Sequence, residues 1–431
     1  MSPMPRRLEP SGSLRAYFGW RLRHWRRARG MTQDALGQRI GYDNSQVSKV
    51  ESGDRWPPED LAQRCDEVLG TGGELAGLWP LVNLERRRVT GEAPTTSGPG
   101  VHTGQGPPPA APPRDEPPPD AAAEARFDDG AIAAMEGLLA GYRRAADHVH
   151  AATLVAPVEW HLDGLLRALT EQSTPPARLL PLAAEWAELA GWLRFDMGAH
   201  AAALAWYDRG HQWAGAARVP DLASRLLARK STAAWEDRDP VAAVGYAEAA
   251  RDADGIGPGA RTWAALALAR AQALAGDRYA CEKLLDAAAQ ETEAAAHTGG
   301  DQAWWWLRGP AGPQVPRLAR ATCLRELAAR GVPGMARRAA AEFTGALAAI
   351  GDDSPRDHAL FSARLADAYV HAAEPARAVD AALRAAEAGR ITRSRRALRE
   401  LTQVHTRLRD HHPALTGLPD LTDRLHTTPQ A

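Results

Sequence analysis

The chain has 431 residues, 45% hydrophobic and 24% charged, and a formal net charge of -1. At roughly 150 residues per domain this length predicts two or three domains, and the near-zero total excludes a uniformly basic nucleic-acid coat or an acidic tail protein. Alanine supplies much of the apolar count while strand-forming residues are sparse, which favours helix over an all-β fold.

The total charge conceals a split. Residues 1–88 carry 15 Lys+Arg against 11 Asp+Glu, a net of +4, which leaves -5 for residues 89–431. Within this basic head, Phe18–Pro58 reads as three short helices. Phe18, Leu22 and Trp25 form one apolar stripe. Thr32 is placed to cap a second helix, Gln33–Ile40, with Leu36 and Ile40 inward. Gly41 ends that helix by supplying the positive φ of a tight turn. Asp43 is placed to cap a third helix, with Gln46 three residues on completing a capping box. The third helix buries Val47 and Val50 and exposes Asn44, Ser45, Ser48 and Lys49. Such a face suits base edges, because Asn and Gln pair with adenine and Lys with guanine. A fourth helix over 58–69 and a fifth over 74–82 complete the head.

The run MTQDALGQRIGY…SQVSKVESG resembles the phage-repressor and Cro type of helix-turn-helix, the xenobiotic-response-element family of regulators, over Phe18 to about Trp79. The resemblance implies that the third helix enters the major groove of double-stranded DNA while the second lies against the backbone. By position it makes Asn44, Ser45 and Lys49 base-edge candidates and puts Gln33 at a phosphate. Ser48 shares the reading face, and Arg55 in the following loop is a phosphate candidate. Arg21, Arg23, Arg26, Arg27 and Arg29 offer further phosphate contacts. The competing reading is local: Asn44 and Ser45 suit hydrogen bonds at a helix start, and Ser48, Lys49 and the arginines suit plain solvation. Trp20, Trp25 and Trp56 read as packing rather than base-stacking groups.

Residues 89–125 are Pro/Gly-rich with almost no large apolar side chain, so they are expected to be a disordered linker. From 126 to 412 the apolar period is helical, as in Ile132, Met135, Leu138, Leu139 and Tyr142, with breakers every 15–25 residues. Turn positions 198, 238, 276, 331 and 373 are each followed by small residues and then large ones, at steps of 40, 38, 55 and 42. This series of paired helices resembles the tetratricopeptide family, whose repeat is about 34 residues. Residues 413–431 read as a C-terminal tail. The predicted fold class is therefore all-α: a five-helix DNA-binding head at 1–88, a linker, and a helical-repeat solenoid.

No further chemistry stands out. The phosphate-loop, nucleophile-elbow, HExxH and GxGxxG signatures are absent from the sequence. Helical spacing puts His148 and His150 on different faces, and no carboxylate or Cys completes a set with them and His161, so no metal is expected. Cys65, Cys281 and Cys323 form no CxxC pair, so neither a disulfide framework nor a zinc site is expected. Trp304, Trp305 and Trp306 point in different directions on a helix and read as packing rather than a ligand pocket. The start MSPMPRRLEPSGSLRAYF has no apolar core, and no apolar run reaches the ~20 residues of a membrane span, so a cytoplasmic protein without a membrane partner is expected. Scarce Lys beside abundant Arg, Ala and Gly suits an actinobacterial, high-GC source. The reading is a non-enzymatic, cofactor-free transcriptional regulator that binds duplex DNA. Regulators of this two-part layout use the repeats to dimerise and to bind a short peptide. The resemblance thus implies a homodimer and a peptide, small-molecule or protein effector. The alternative is a protein-interaction scaffold whose head has become a docking module.

Overall fold

The computed structural model describes residues 14–71, 74–90, 128–171, 176–297, 311–350 and 354–427, and these contain helices and no strand. The head comprises α1 (Leu14–Ala28), α2 (Gln33–Ile40), α3 (Asn44–Glu51), α4 (Glu59–Leu69) and α5 (Glu74–Thr90). Phe18, Leu22, Leu36, Ile40, Val47, Val50, Leu61, Leu69, Leu75 and Leu78 make its core. The fifth helix runs eight residues past its predicted end, to Thr90. Its start is held by Asp66 of α4, whose carboxylate accepts from the amides of Leu75 (2.9 Å) and Ala76 (2.7 Å), two donors that a helix start otherwise leaves unpaired. Of the expected linker, only Val89 and Thr90 fall within the described residues, as the end of α5.

The body continues with α6 (Asp129–Ala146), α7 (Ala151–Glu171), α8 (Leu179–Asp196), α9 (His200–Ala216), α10 (Pro220–Glu236), α11 (Pro240–Arg251), α12 (Pro258–Ala275) and α13 (Arg278–His297). It ends with α14 (Val315–Ala329), α15 (Met335–Ala349), α16 (Pro355–His371), α17 (Pro375–Thr392), α18 (Arg395–His411) and α19 (Leu418–Thr427). From α8 onward each even-numbered helix pairs with the odd-numbered helix that follows it, and from α10 to α18 the even-numbered helices also pack on one another in series, which is a helical-repeat arrangement. Prolines open α10, α11, α12, α16 and α17 at their first residue, where a missing N–H costs nothing. The stripe expected at the start of the body holds: Ile132, Met135, Leu139 and Tyr142 are buried, and Leu138 packs beside them.

The turn positions aligned by sequence share one backbone feature. Gly198 (φ 75°), Arg238 (61°), Gly276 (93°), Gly331 (82°) and Ala373 (57°) are all left-handed. The small residues that follow, Ala203, Ala243, Cys281 and Ala378, are fully buried where paired helices meet. A non-glycine residue in this region is strained by its Cβ. Ala373→Gly is expected to leave the fold unchanged and to raise stability by about 0.5–1 kcal/mol, since relief of strain outweighs the added freedom of the unfolded chain. Urea unfolding checks this; a lower midpoint would show that the turn tolerates alanine without strain.

The expected C-terminal tail is corrected. Residues 418–427 form α19, which packs on α17 and α18 with Leu418 and Leu421 buried. Two leucines three residues apart were too short a stripe to read against the polar residues around them. Trp304, Trp305 and Trp306 lie outside the described residues.

Ion pairs link helices that lie far apart along the body. Arg396 of α18 donates to Glu236 of α10 (2.6 Å), Arg325 of α14 to Glu400 of α18 (2.6 Å), and Arg238 to Glu326 of α14 (2.6 and 2.7 Å). Arg356 of α16 reaches Asp196 of α8, whose other oxygen accepts from Ser394 at 2.7 Å. These links join the first hairpins of the body to the last. The head sits against the start of the body: α5 packs on α6, and the Trp20 ring lies 5.5 Å from that of His148.

Candidate nucleic-acid interface

The reading helix is built from local signals. The Thr32 hydroxyl accepts from the Ala35 amide (3.1 Å) to start α2, and Gly41, at φ 77°, ends it. Asp43 accepts from the Gln46 amide (2.8 Å) while Gln46 accepts from the Asp43 amide (3.3 Å), so the capping box forms and α3 starts at Asn44. A cap of this kind contributes about 0.5–2 kcal/mol, a large share of what an eight-residue helix can hold. Asp43 also accepts from the Ser45 hydroxyl (2.7 Å), and that bond holds its carboxyl below the usual range.

Close backbone approach then sets the angle between helices. A Cβ on Gly37 would stand 2.5 Å from the Tyr42 carbonyl oxygen, so alanine does not fit at this crossing without a shift. A Cβ on Gly19 of α1 would stand 2.3 Å from the Val50 carbonyl oxygen, so α1 crosses the end of α3 at backbone distance. Nothing in the local sequence marked Gly19, because its neighbour lies thirty residues on.

Asn44, Ser45, Ser48 and Lys49 share one face of α3, opposite the buried Val47 and Val50. Asn44, Ser45 and Lys49 are exposed, and Ser48 is half-buried. Ser45 is engaged locally with Asp43, as the competing reading anticipated. Asn44 and Lys49 make no side-chain hydrogen bond among the described residues. Arg55 is exposed in the loop after α3, and its amide donates to the Lys49 carbonyl (3.1 Å), which ties that loop to the end of the helix.

Gln33 opens α2, but its side-chain amide donates to Glu51 (2.8 Å). Glu51 is fully buried and accepts two bonds from Arg26, Nε to Oε1 at 2.5 Å and Nη2 to Oε2 at 2.9 Å, with Arg23 3.6 Å away. Arg26 is therefore a structural residue and not the phosphate contact offered for it. Arg29 likewise donates to the Leu69 carbonyl (2.7 Å). Arg27 and Arg39 remain exposed cations near the reading face. The buried Arg26–Glu51 pair escaped sequence reading because its members are 25 residues apart and each looks like an ordinary surface charge. Trp25 and Trp56 are partly buried against the head core, and Arg15 lies over Trp56 at 4.5 Å.

Two of the histidines considered as ligands pack against aromatic rings, and His150 is half-buried. His148 faces Trp20, and His161 lies between Tyr142 and Trp186, where burial lowers its pKa to about 4. No helix among the described residues is long and apolar enough to cross a membrane.

No curated protein matches the chain in sequence. A solved structure with some similarity is that of PlcR from Bacillus thuringiensis in complex with the peptide PapR7 and DNA, at 13% identity and a TM-score of 0.30 over 90% of this chain and 96% of that one. Residues 18–79 match a family model described as a helix-turn-helix domain, spanning the segment whose caps, close crossings and exposed α3 face are described above.

Proposed function

We propose that the chain is a sequence-specific DNA-binding transcriptional regulator, acting in the cytoplasm as a homodimer, whose helical-repeat body receives an effector. The observation that carries the reading is the face of α3. A capped helix presents Asn44 and Lys49 without side-chain hydrogen bonds among the described residues, inside a segment matched as a helix-turn-helix domain. Arg27, Arg39 and Arg55 are exposed around it and suit phosphate contacts, which position the head without reading sequence. Two heads in a dimer would read half-sites about one helical turn apart. The reading needs no catalytic group.

Selection of genomic fragments by the full-length chain supplies the operator, and Asn44→Ala/Lys49→Ala supplies the test. Loss of good base contacts removes about 1–3 kcal/mol each, so affinity for the selected sequence is expected to fall at least tenfold. Affinity for unrelated duplex falls less and stays strongly salt-dependent. Unchanged affinity and sequence preference in the double variant would show that α3 does not read bases. If the wild-type chain retains no fragment even at low salt, the scaffold reading takes its place.

A further inference from the structure

Between the helices of the body lies a partly open cavity of about 330 Å³, lined from α8, α9, α10, α12, α14, α16 and α18. Five arginines line it: Arg229, Arg270, Arg356, Arg364 and Arg396. Four of them are matched twice over. Arg229 pairs with Glu188 (3.0 Å) and lies over Trp263; Arg364 pairs with Glu400 (2.9 Å) and lies over Phe361. Arg396 pairs with Glu236 (2.6 Å) and lies over Phe195, while Arg356 pairs with Asp196 and lies over Trp192.

Arg270 differs. Its one side-chain hydrogen bond among the described residues is to the Thr232 hydroxyl, at 3.2 Å, and no carboxylate among them is within ion-pair distance. Burial lowers its pKa to about 10, and Arg364, Arg396 and Arg229 push in the same direction. Tyr207, 1% exposed, also lines the cavity and has a hydroxyl buried without a hydrogen-bond partner among the described residues, while Nη2 of Arg364 lies 3.7 Å from the Glu236 carboxylate. The wall also carries Asp147, Asp196 and Asp357, which do not cancel this excess. Asp196 is committed to Arg356 and Ser394, Asp357 accepts from Ser354 (2.9 Å) and is raised by burial, and burial beside Asp357 lifts Asp147 to about 7.

A half-buried cation without a counter-charge is costly, and a buried hydroxyl without a partner adds to that cost. The size is at the small end of ligand pockets, and the apolar wall of Trp192, Trp263 and Phe361 suits a flat or aliphatic body. We infer that this cavity binds a small organic anion, a carboxylate or phosphate ester whose charged group meets Arg270 and the Tyr207 hydroxyl and whose apolar part lies against Trp192, Trp263 and Phe361. An arginine fork and a hydroxyl supply the directed donors that either anion takes. The inference rests on the reading of the body as an effector domain and names the chemistry of the effector. Such a ligand would stiffen the links between α8, α10, α16 and α18 that join the two ends of the body.

The test is thermal unfolding of the full-length chain with indole-3-acetate, phenyl phosphate and, as neutral control, indole-3-acetamide, each at millimolar concentration. Expected is a rise in Tm of several degrees with at least one of the two anions and none with the amide. The anion that acts separates carboxylate from phosphate ester. Arg270→Met is expected to abolish the rise while leaving the unliganded Tm at or above wild type, because the side chain has no ion-pair partner to lose. Arg270→Lys, which keeps the charge, is expected to keep part of the rise. The inference is overturned if neither anion shifts Tm, if the amide shifts it equally, or if Arg270→Met responds as wild type does. A chain that answers anions but retains no DNA would sink the regulator reading and leave the cavity assignment standing.

Discussion

Arg26→Met is expected to cost the head about 3–5 kcal/mol, the range for removing one member of a buried ion pair. The side chain leaves a fully buried Glu51 with only the Gln33 amide at 2.8 Å and Arg23 at 3.6 Å. The change also removes the donor at 2.7 Å to the Met31 carbonyl, which holds the turn between α1 and α2. Hydrogen exchange of the full-length chain reads the effect locally: amides of α1, α2 and α3 are expected to lose protection while those of α10 to α18 keep theirs. Arg26→Met/Glu51→Leu is expected to recover most of the loss, because replacing both members of a buried pair with apolar groups is often near neutral. Wild-type protection in the single variant would mean that water reaches Glu51. Affinity for DNA should fall with protection, since Glu51 ends the helix that carries Asn44 and Lys49.

Arg356→Met is expected to be the corresponding lesion in the body, again about 3–5 kcal/mol. One guanidinium holds three elements: it pairs with Asp196 of α8 and donates to the carbonyls of Ala146 (2.7 Å) and Val149 (2.6 Å), at the end of α6 and in the turn after it. Asp196 is 1% exposed, so it would be left charged with only Ser394 as partner. A urea midpoint shift equivalent to less than about 1 kcal/mol would show that the site relaxes to admit water. Arg356→Lys is expected to rescue little, because an ammonium is a point charge and cannot reproduce a fork that serves three acceptors. Residues 145–150 should exchange faster in either variant. They include His148, which faces Trp20 of the head, so the lesion also loosens the seat of the DNA-binding domain.

Much of the head was legible before any coordinates. Thr32, Gly41, Asp43 and Gln46 act through hydrogen bonds to residues within four positions, so their roles are written locally. The α3 face follows from helical spacing alone. The same locality explains why the five turn positions agreed in backbone conformation although two of them, Arg238 and Ala373, are not glycine. What could not be read is carried by residues far apart in sequence: Gly19 against Val50, Arg26 on Glu51, Arg356 on Asp196, and α19 on α17.

The amino-acid sequence by itself determined the all-helical class, the basic head with its capped reading helix, and the hairpin rhythm of the body. These depend on propensity, capping and periodicity, which act over a few residues. The tertiary structure alone decided which arginines remain open to a partner. The head looked like a helix rich in phosphate contacts, yet Arg26 is spent on Glu51 and Arg29 on the end of α4. The arginines of the body look alike in sequence, yet ion pairs between distant helices take Arg229, Arg356, Arg364 and Arg396 and leave Arg270 without a carboxylate among the described residues. Charge composition counts side chains; whether each charge meets solvent, a counter-ion or a cavity is settled by packing between segments as much as 210 residues apart.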